Sequence, residues 1–293
     1  MSYRVLTDTS ANLPTPWLRE HVVDTVPFSY HYSGEAHQCL DTESFSGDDF
    51  YAKLKTGLKV TTSQVTPQLY MEHFEPVLKA GEDVLMICMS SGISGSCDSA
   101  RIAAAELKEH YPLRQVEIID TLAASLGEGI VVMRAVELRE SGVELGRAVQ
   151  ELNSLAKRVC QIFTVDDLMH LRRGGRLSNI SAVVGMVLQI KPLLIGNEEG
   201  KIVAISKVRG RKRSIEQLAE KYDRLVVEPE KQVIGIAQAG CREDAEYLAE
   251  LLMRNRPPKE ILNVEYEPVT GSHVGPGALA LFFVAGEDVR AMR

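Results

Sequence analysis

The 293-residue sequence contains no uninterrupted apolar run near the roughly 20 residues that a membrane-spanning helix needs. It also opens without a charged-then-apolar leader, so the expectation is a protein that works in the cytoplasm. Cysteine is sparse: Cys39, Cys88, Cys97, Cys160 and Cys241 are scattered, odd in number and free of C-x-x-C spacing. That pattern excludes a disulfide framework, and Cys88 and Cys160, inside apolar runs, read as small core residues in a reducing compartment. A surplus of positive charge is missing too. At a net charge of −7 the chain lacks the basic balance expected when nucleic acid is the main partner.

The common catalytic signatures are absent as well. No Gly-Lys-Ser/Thr follows a glycine-rich loop, which excludes a P-loop, and no G-x-G-x-x-G follows the first strand at Val5-Leu6. The seven histidines show no paired spacing with cysteine or carboxylate, so neither a metal nor another cofactor is expected. A nucleophile elbow needs G-x-S-x-G, whereas Gly92-Ile93-Ser94-Gly95-Ser96 has its second glycine one place early.

What is present is a set of small-residue loops at the starts of helices. The stretch Ser90 to Ser99, "SSGISGSCDS", lies between the apolar run Val84–Met89 and an alanine-rich helical pattern. A strand, a hydroxyl-rich loop and a helix N-terminus in that order form a cradle suited to an anion, with Ser90, Ser91, Ser94 and Ser96 as candidates. A second such loop, "TTSQVTP", precedes another helix: Thr66 is a good N-cap, Pro67 a good first residue, and Thr61, Thr62, Ser63 and Gln64 lie just ahead. Near the end, His273 stands among Gly271, Gly275, Pro276 and Gly277 in what reads as a tight, rigid loop feeding a last apolar strand. In "TDTSANLP", Asp8, Thr9, Ser10 and Asn12 read as turn-makers bonding their own backbone.

Strand-helix alternation through the first half predicts a parallel sheet with flanking helices. The second half reads differently. A helical stretch over 180–190 precedes a hairpin over 192–208 turning at Asn197 to Gly200, which requires antiparallel pairing. The expected architecture is therefore α/β in two domains, 1–155 with a mainly parallel sheet and 156–293 with a mixed or antiparallel one.

Taken in order, the motifs "TDTSANLP", "TTSQVTP", "SSGISGSCDSA", "DTLAASLGEG", "FTVDDLMHLRRGGRLS", "KPLL" with "KVRGRKR", and "GSHVGPGALA" resemble the DegV family over nearly the whole length. Characterised members of that family are bacterial fatty-acid-binding proteins, among them the FakB subunits of fatty acid kinase. The resemblance implies a two-domain DegV-like fold holding one long-chain fatty acid such as palmitate. Its carboxylate would be held by Thr62, Ser94 and His273 and presented to a separate kinase subunit, which forms the acyl phosphate; lipid is exchanged in transient contact with a membrane. Arg172, Arg173, Arg176 and Arg209, with Lys207 and Arg211, would suit docking of that partner. Two departures stand out: "TSQVT" replaces the commoner Thr-Ser-Gln-Pro-Ser, and Cys97 stands where the family usually has tyrosine. Two alternatives remain open at this stage: an acyl hydrolase or acyltransferase using Ser94 and His273, and a binder of another small carboxylate or phosphate.

Overall fold

In the computed structural model, residues 2–178, 189–286 and 289–291 are described. The first part runs β1 (Tyr3–Asp8), α1 (Thr15–Glu20), β2 (Asp24–Val26), β3 (Ser29–Tyr32), β4 (Glu35–Gln38), α2 (Gly47–Lys55), β5 (Thr61–Ser63) and α3 (Pro67–Lys79). It continues through β6 (Asp83–Cys88), α4 (Ser96–His110), β7 (Val116–Asp120), α5 (Leu126–Glu140) and α6 (Leu145–Arg158). The remainder comprises β8 (Val159–Thr164), α7 (Met169–Arg173), β9 (Ile190–Gly196), β10 (Ile202–Arg209), α8 (Arg211–Leu225) and β11 (Val233–Gln238). It ends with α9 (Arg242–Asn255), β12 (Glu260–Glu265), α10 (Pro268–Val274) and β13 (Leu279–Val284).

Three sheets result. The order β2-β1-β6-β7 is parallel throughout, as strand-helix alternation predicts. All six residues of β6 are buried, because helices cover both faces of such a sheet and its inner strand becomes continuously apolar. The second sheet, β10-β9-β8-β13-β11-β12, is antiparallel except for the β11–β12 pair, and its β9–β10 hairpin turns at Asn197 to Gly200. A small antiparallel sheet, β4-β3-β5, completes the fold. The expected α/β class with one parallel and one mixed sheet is the one observed. The helix expected over 180–190 falls almost wholly outside the described residues; Ile190 itself begins β9. No described helix is long and apolar enough to cross a membrane.

Helix α5 explains how the sheets come together. Its first two turns, Leu126 to Val132, are buried on every side, and a segment of that kind must be enclosed. It lies between β1 and β6 of the parallel sheet and β8, β11 and β13 of the mixed one. Gly127 lets it approach Phe282, and Gly129 lets it approach Leu13 and the Ala11 carbonyl; a Cβ at either position would crowd those atoms. The main core is consequently continuous across both sheets, from Val5 and Leu85 to Phe163 and Phe282. Strand alternation sends the other faces of β8 and β13 to a second core, where Ile162, Leu281 and Phe283 pack with residues of α8 and α9.

The buried helix carries one acid. Glu128 is fully buried and accepts hydrogen bonds from Thr7 Oγ1 at 2.9 Å and from the Ser10 hydroxyl. Asp8 beside it accepts from the Ser10 amide at 3.0 Å and the Met89 amide at 3.1 Å. "TDTS" is thus more than a local turn: it ties β1 to α5 and to the residue that follows β6. Burial pushes the Asp8 carboxyl up to about 6. Glu128 rises well above the usual carboxylate range, through burial first and the neighbouring Asp8 charge second.

A carboxyl raised in the native state keeps a proton that the unfolded chain has released. Its contribution to stability is complete at acid pH and declines as pH rises. Glu128→Gln retains a hydrogen-bonding group and removes the titration. Urea unfolding from about pH 5 to about pH 8 is expected to show the variant gaining on the wild type as pH increases. A constant difference across that range would contradict a protonated Glu128.

Candidate functional site

His273 is placed differently from the loop expected of its glycine-rich surroundings. It lies near the end of α10, and only afterwards does the chain turn, at Gly275 (φ 79°) and Gly277 (φ 79°). This short helix is fixed from three directions. Glu267 caps it, accepting from the Val269 and Thr270 amides at 2.6 Å each. Asn12 accepts from the Glu267 amide at 2.8 Å and donates to the Glu265 carbonyl at 2.9 Å. Tyr51 donates to the Tyr266 carbonyl at 2.6 Å and packs so closely on Gly271 that a Cβ there would overlap its hydroxyl. Asn12, read in sequence as a local turn-maker, therefore spends its amide on backbone more than 250 residues away. Glu267 is buried and pushed up to about 7, chiefly by desolvation.

Held in this way, His273 meets Thr62, with Nε2 2.8 Å from Thr62 Oγ1. Thr62 belongs to the short strand β5, where sequence indicated only a loop, and it pairs with Tyr30. Thr66 caps α3 as expected, accepting from the Leu69 amide at 3.3 Å. Of the four serines in the first loop, two are consumed by the fold. Ser90 Oγ donates to the Gly200 carbonyl at 2.9 Å, so the β9–β10 turn is locked onto this loop. Ser96 Oγ accepts from the Val65 amide at 3.0 Å, joining the two hydroxyl-rich loops. Ser91 is exposed. Ser94 remains, 3.0 Å from Ser96 Oγ.

Thr62, Ser94 and His273 line one cavity, a narrow space of about 50 Å³. Apart from a cluster of polar groups its wall is apolar: Phe28, Met89, Ile93, Phe163, Leu171, Ile202, Val269, Val274 and Phe282. The mixed sheet, the short strand β5, α10 and the loops before α3, α4 and α5 contribute to it. Sequence reasoning missed the wall residues, although alternation in β8 and β13 marks Phe163 and Phe282 as facing α5. It also missed Gln161, a polar residue in an otherwise apolar strand, whose Oε1 accepts from the Ala124 amide at 2.9 Å. The adjoining turn is strained, with φ of 54° at Leu122 and 53° at Ser125. Buried Arg290 holds it through the Leu122 carbonyl at 2.6 Å and the Thr121 carbonyl at 3.3 Å.

The basic candidates separate into three groups. Arg176 lines the cavity mouth, donating to the Ile93 carbonyl at 3.1 Å and to the Gly174 carbonyl. Arg172, Arg173, Lys207 and Arg209 are exposed and form no ion pair among the described residues. Arg211 is engaged internally, 2.8 Å from Asp244 and 3.8 Å from Asp166, so it does not offer the free charge expected of a docking residue. No group of three potential metal ligands occurs among the described residues.

Burial, reinforced by the Arg176 charge, lowers the His273 imidazole to about 4, so it is neutral at physiological pH. Its unfolded counterpart titrates near 6.5; stability is therefore lost as pH falls from that value toward 4. The ring lies flat against the backbone at Gly174, where a Cβ would collide with Nδ1. Gly174→Ala is expected to displace the ring, breaking the Thr62 contact and moving its NMR titration midpoint from about 4 toward 6.5, with little change in melting temperature. An unchanged midpoint would contradict this packing.

Comparison with known proteins matches this geometry to one family. A family model described as an uncharacterised protein family, DegV, matches residues 2–286. A DegV domain-containing protein of Clostridium perfringens is 36% identical over 287 residues, covering 96% of each chain. Among solved structures, a fatty-acid-binding DegV family protein of Thermus thermophilus superposes with a TM-score of 0.88 at 29% identity, covering 98% of this chain and 100% of the other. A fatty-acid-binding DegV family protein of Streptococcus agalactiae gives a TM-score of 0.85, also at 29% identity and with the same coverage. The chain belongs to the DegV family.

Proposed function

We propose that this protein binds one long-chain fatty acid, with the carboxylate at Thr62, Ser94 and His273 and the acyl chain in the apolar cavity. The observation that carries the reading is the composition of that cavity, whose largely apolar wall also bears these three polar side chains, with Thr62 and His273 in hydrogen-bond contact. The fatty-acid-binding relatives of the same fold support it. Burial of ~14 methylenes contributes about 11 kcal/mol before the cost of ordering the chain. Each hydrogen bond to the charged head adds roughly 1.5–3 kcal/mol, set against its desolvation. With Nε2–H donating to Thr62 Oγ1, neutral His273 leaves the Thr62 hydroxyl hydrogen for a carboxylate without requiring a second charge to be buried.

The carboxylate in this reading serves as a substrate for a separate kinase. One of its oxygens attacks the terminal phosphorus of a nucleoside triphosphate; the bond to the bridging oxygen breaks, and the diphosphate leaves with the electron pair. The chain itself acts as a carrier and needs no cofactor. Exposed Arg172, Arg173 and Arg209 give the partner a basic face, and ligand is exchanged at a membrane surface. A hydrolase using Ser94 is disfavoured by the hydrogen bonding. Ser94 Oγ has no described hydrogen bond to His273, whose Nε2 pairs with Thr62 and whose Nδ1 faces the Gly174 backbone in place of an orienting acid.

Native mass spectrometry of the purified protein is expected to show one fatty acid per chain. Thr62→Ala and Ser94→Ala are each expected to weaken palmitate binding about tenfold while leaving thermal unfolding nearly unchanged. A ligand-free mass together with no uptake of added palmitate or oleate would refute the assignment.

A further inference from the structure

Not every polar group on the cavity wall belongs to the carboxylate site. Thr270 lines the cavity from α10, three residues before His273. It is 9% exposed, and its Oγ1 is buried without a hydrogen-bond partner. Its amide is spent on the Glu267 carboxylate at 2.6 Å. Burial raises the Glu267 carboxyl and the Thr270 side chain acts against that rise, yet the two side chains form no hydrogen bond. The acceptor most open to a helical threonine is the carbonyl four residues earlier. Here that is Tyr266, whose carbonyl already accepts from Tyr51 at 2.6 Å. An unpaired buried hydroxyl is costly, and valine, of the same shape, would fill the place without that cost.

The position of this hydroxyl gives it a meaning. Residues three apart share one side of a helix, so Thr270 and His273 face the same space about 4.5 Å apart along the axis. His273 stands at the mouth with Thr62 and Arg176, and Thr270 lies on the inner side, where Asn12 and Glu267 anchor α10. Ser125 reaches the same region. It lines the cavity, is 1% exposed, and its Oγ lies 3.5 Å from Asn12 Oδ1, the atom that accepts the Glu267 amide. Its backbone is held at φ 53° and ψ −143°, a strained conformation for a residue other than glycine. Thr270 is thus set one helical turn in from the carboxylate site, with Ser125 beside the residues that anchor its helix. A plain hydrocarbon chain passing this point leaves the Thr270 hydroxyl unpaired.

We propose that the cavity takes acyl chains bearing a hydroxyl near the carboxylate, with Thr270 as the residue that recognises it. The proposal rests on the fatty-acid reading of the cavity and on a carboxylate held at His273. At bond lengths of about 1.5 Å, an extended chain covers about 4.5 Å in three to four bonds, which from a carboxylate oxygen reaches the third or fourth carbon. The threonine hydroxyl both donates and accepts, so it pairs with a ligand hydroxyl in either direction.

Affinities of the delipidated full chain for palmitate, 3-hydroxypalmitate and 16-hydroxypalmitate test this in wild type, Thr270→Val and Thr270→Ser. Valine keeps the shape and removes the hydroxyl, whereas serine keeps the hydroxyl. Wild type is expected to bind 3-hydroxypalmitate at least as tightly as palmitate. Thr270→Val should weaken 3-hydroxypalmitate about tenfold, and Thr270→Ser should hold it within about threefold of wild type. Palmitate should change by less than about twofold in either variant, since it offers Thr270 no partner. The hydroxyl of 16-hydroxypalmitate lies at the opposite end, so its affinity relative to palmitate should be the same in all three proteins. Each comparison is a ratio within one protein, and a general loosening of α10 therefore cancels. An equal ratio of 3-hydroxypalmitate to palmitate affinity in wild type and Thr270→Val overturns the proposal and leaves the fatty-acid reading intact. Failure of wild type to bind any of the three acids removes that reading, and the proposal with it.

Discussion

The enclosure of α5 between two sheets is the constraint on which the rest of the structure depends. The first two turns of α5, Leu126 to Val132, are buried on every side, and both sheets close on them. That closure removes solvent from everything at the seam, so each polar group there needs a partner within the protein. Thr7, Asp8 and Ser10 supply the partners on one side of the helix, and Gln161 fixes the turn that leads into it. Asn12 then extends the same bonding to the backbone on either side of Tyr266 and so to α10.

The cavity opens beside this seam, along Phe28, Phe163 and Phe282 and the turn before α5. Polar residues reach it from β5 and the loops before α3, α4 and α5, from α10, from Gln161 in β8, and from Arg176 after α7. An apolar interior with hydroxyls and an imidazole at its opening therefore follows from where the loops lie relative to the layers. The closeness of the loops is enforced by contacts with no tolerance for larger side chains. A Cβ at Gly92 would overlap the backbone of Glu199 and Gly200, and one at Gly174 would overlap His273.

Much of this was legible in the sequence because it depended on local chemistry. The apolar run of β6, the Thr66 cap and the Asn197–Gly200 turn are all signalled within a few residues of where they occur. The loops that carry Thr62, Ser94 and His273 stood out for a similar reason, being rich in glycine or hydroxyls, and the family resemblance singled out these three residues within them. The failures were of long range. Ser90 and Ser96 carry the same chemistry as Ser94, yet their hydroxyls are taken by Gly200 and Val65, contacts set by how distant segments pack. Arg211 sits in a basic run, but Asp244 and Asp166 reach it through the fold. Glu128, in "LGEGIVV", gave no sign that Thr7 and Ser10 would meet it.

The division of chemistry across the mouth has a consequence for how such a protein handles a charged lipid. Thr62, Ser94 and His273 carry no charge, the imidazole being kept neutral by burial first and by Arg176, a cation at the cavity mouth, second. Immediately outside, Lys55, Lys59 and Arg173 stand without ion-pair partners among the described residues. A negative charge on the ligand is thus drawn toward the opening, while the apolar chain is drawn inward. The two forces fix opposite ends of one molecule and orient it without a buried salt bridge, whose desolvation would offset much of its attraction. An interior arginine in place of His273 would bind the carboxylate more strongly and hold it away from any partner. On the proposed reading, a neutral hydrogen bond at the mouth leaves the acid group available for reaction with a partner.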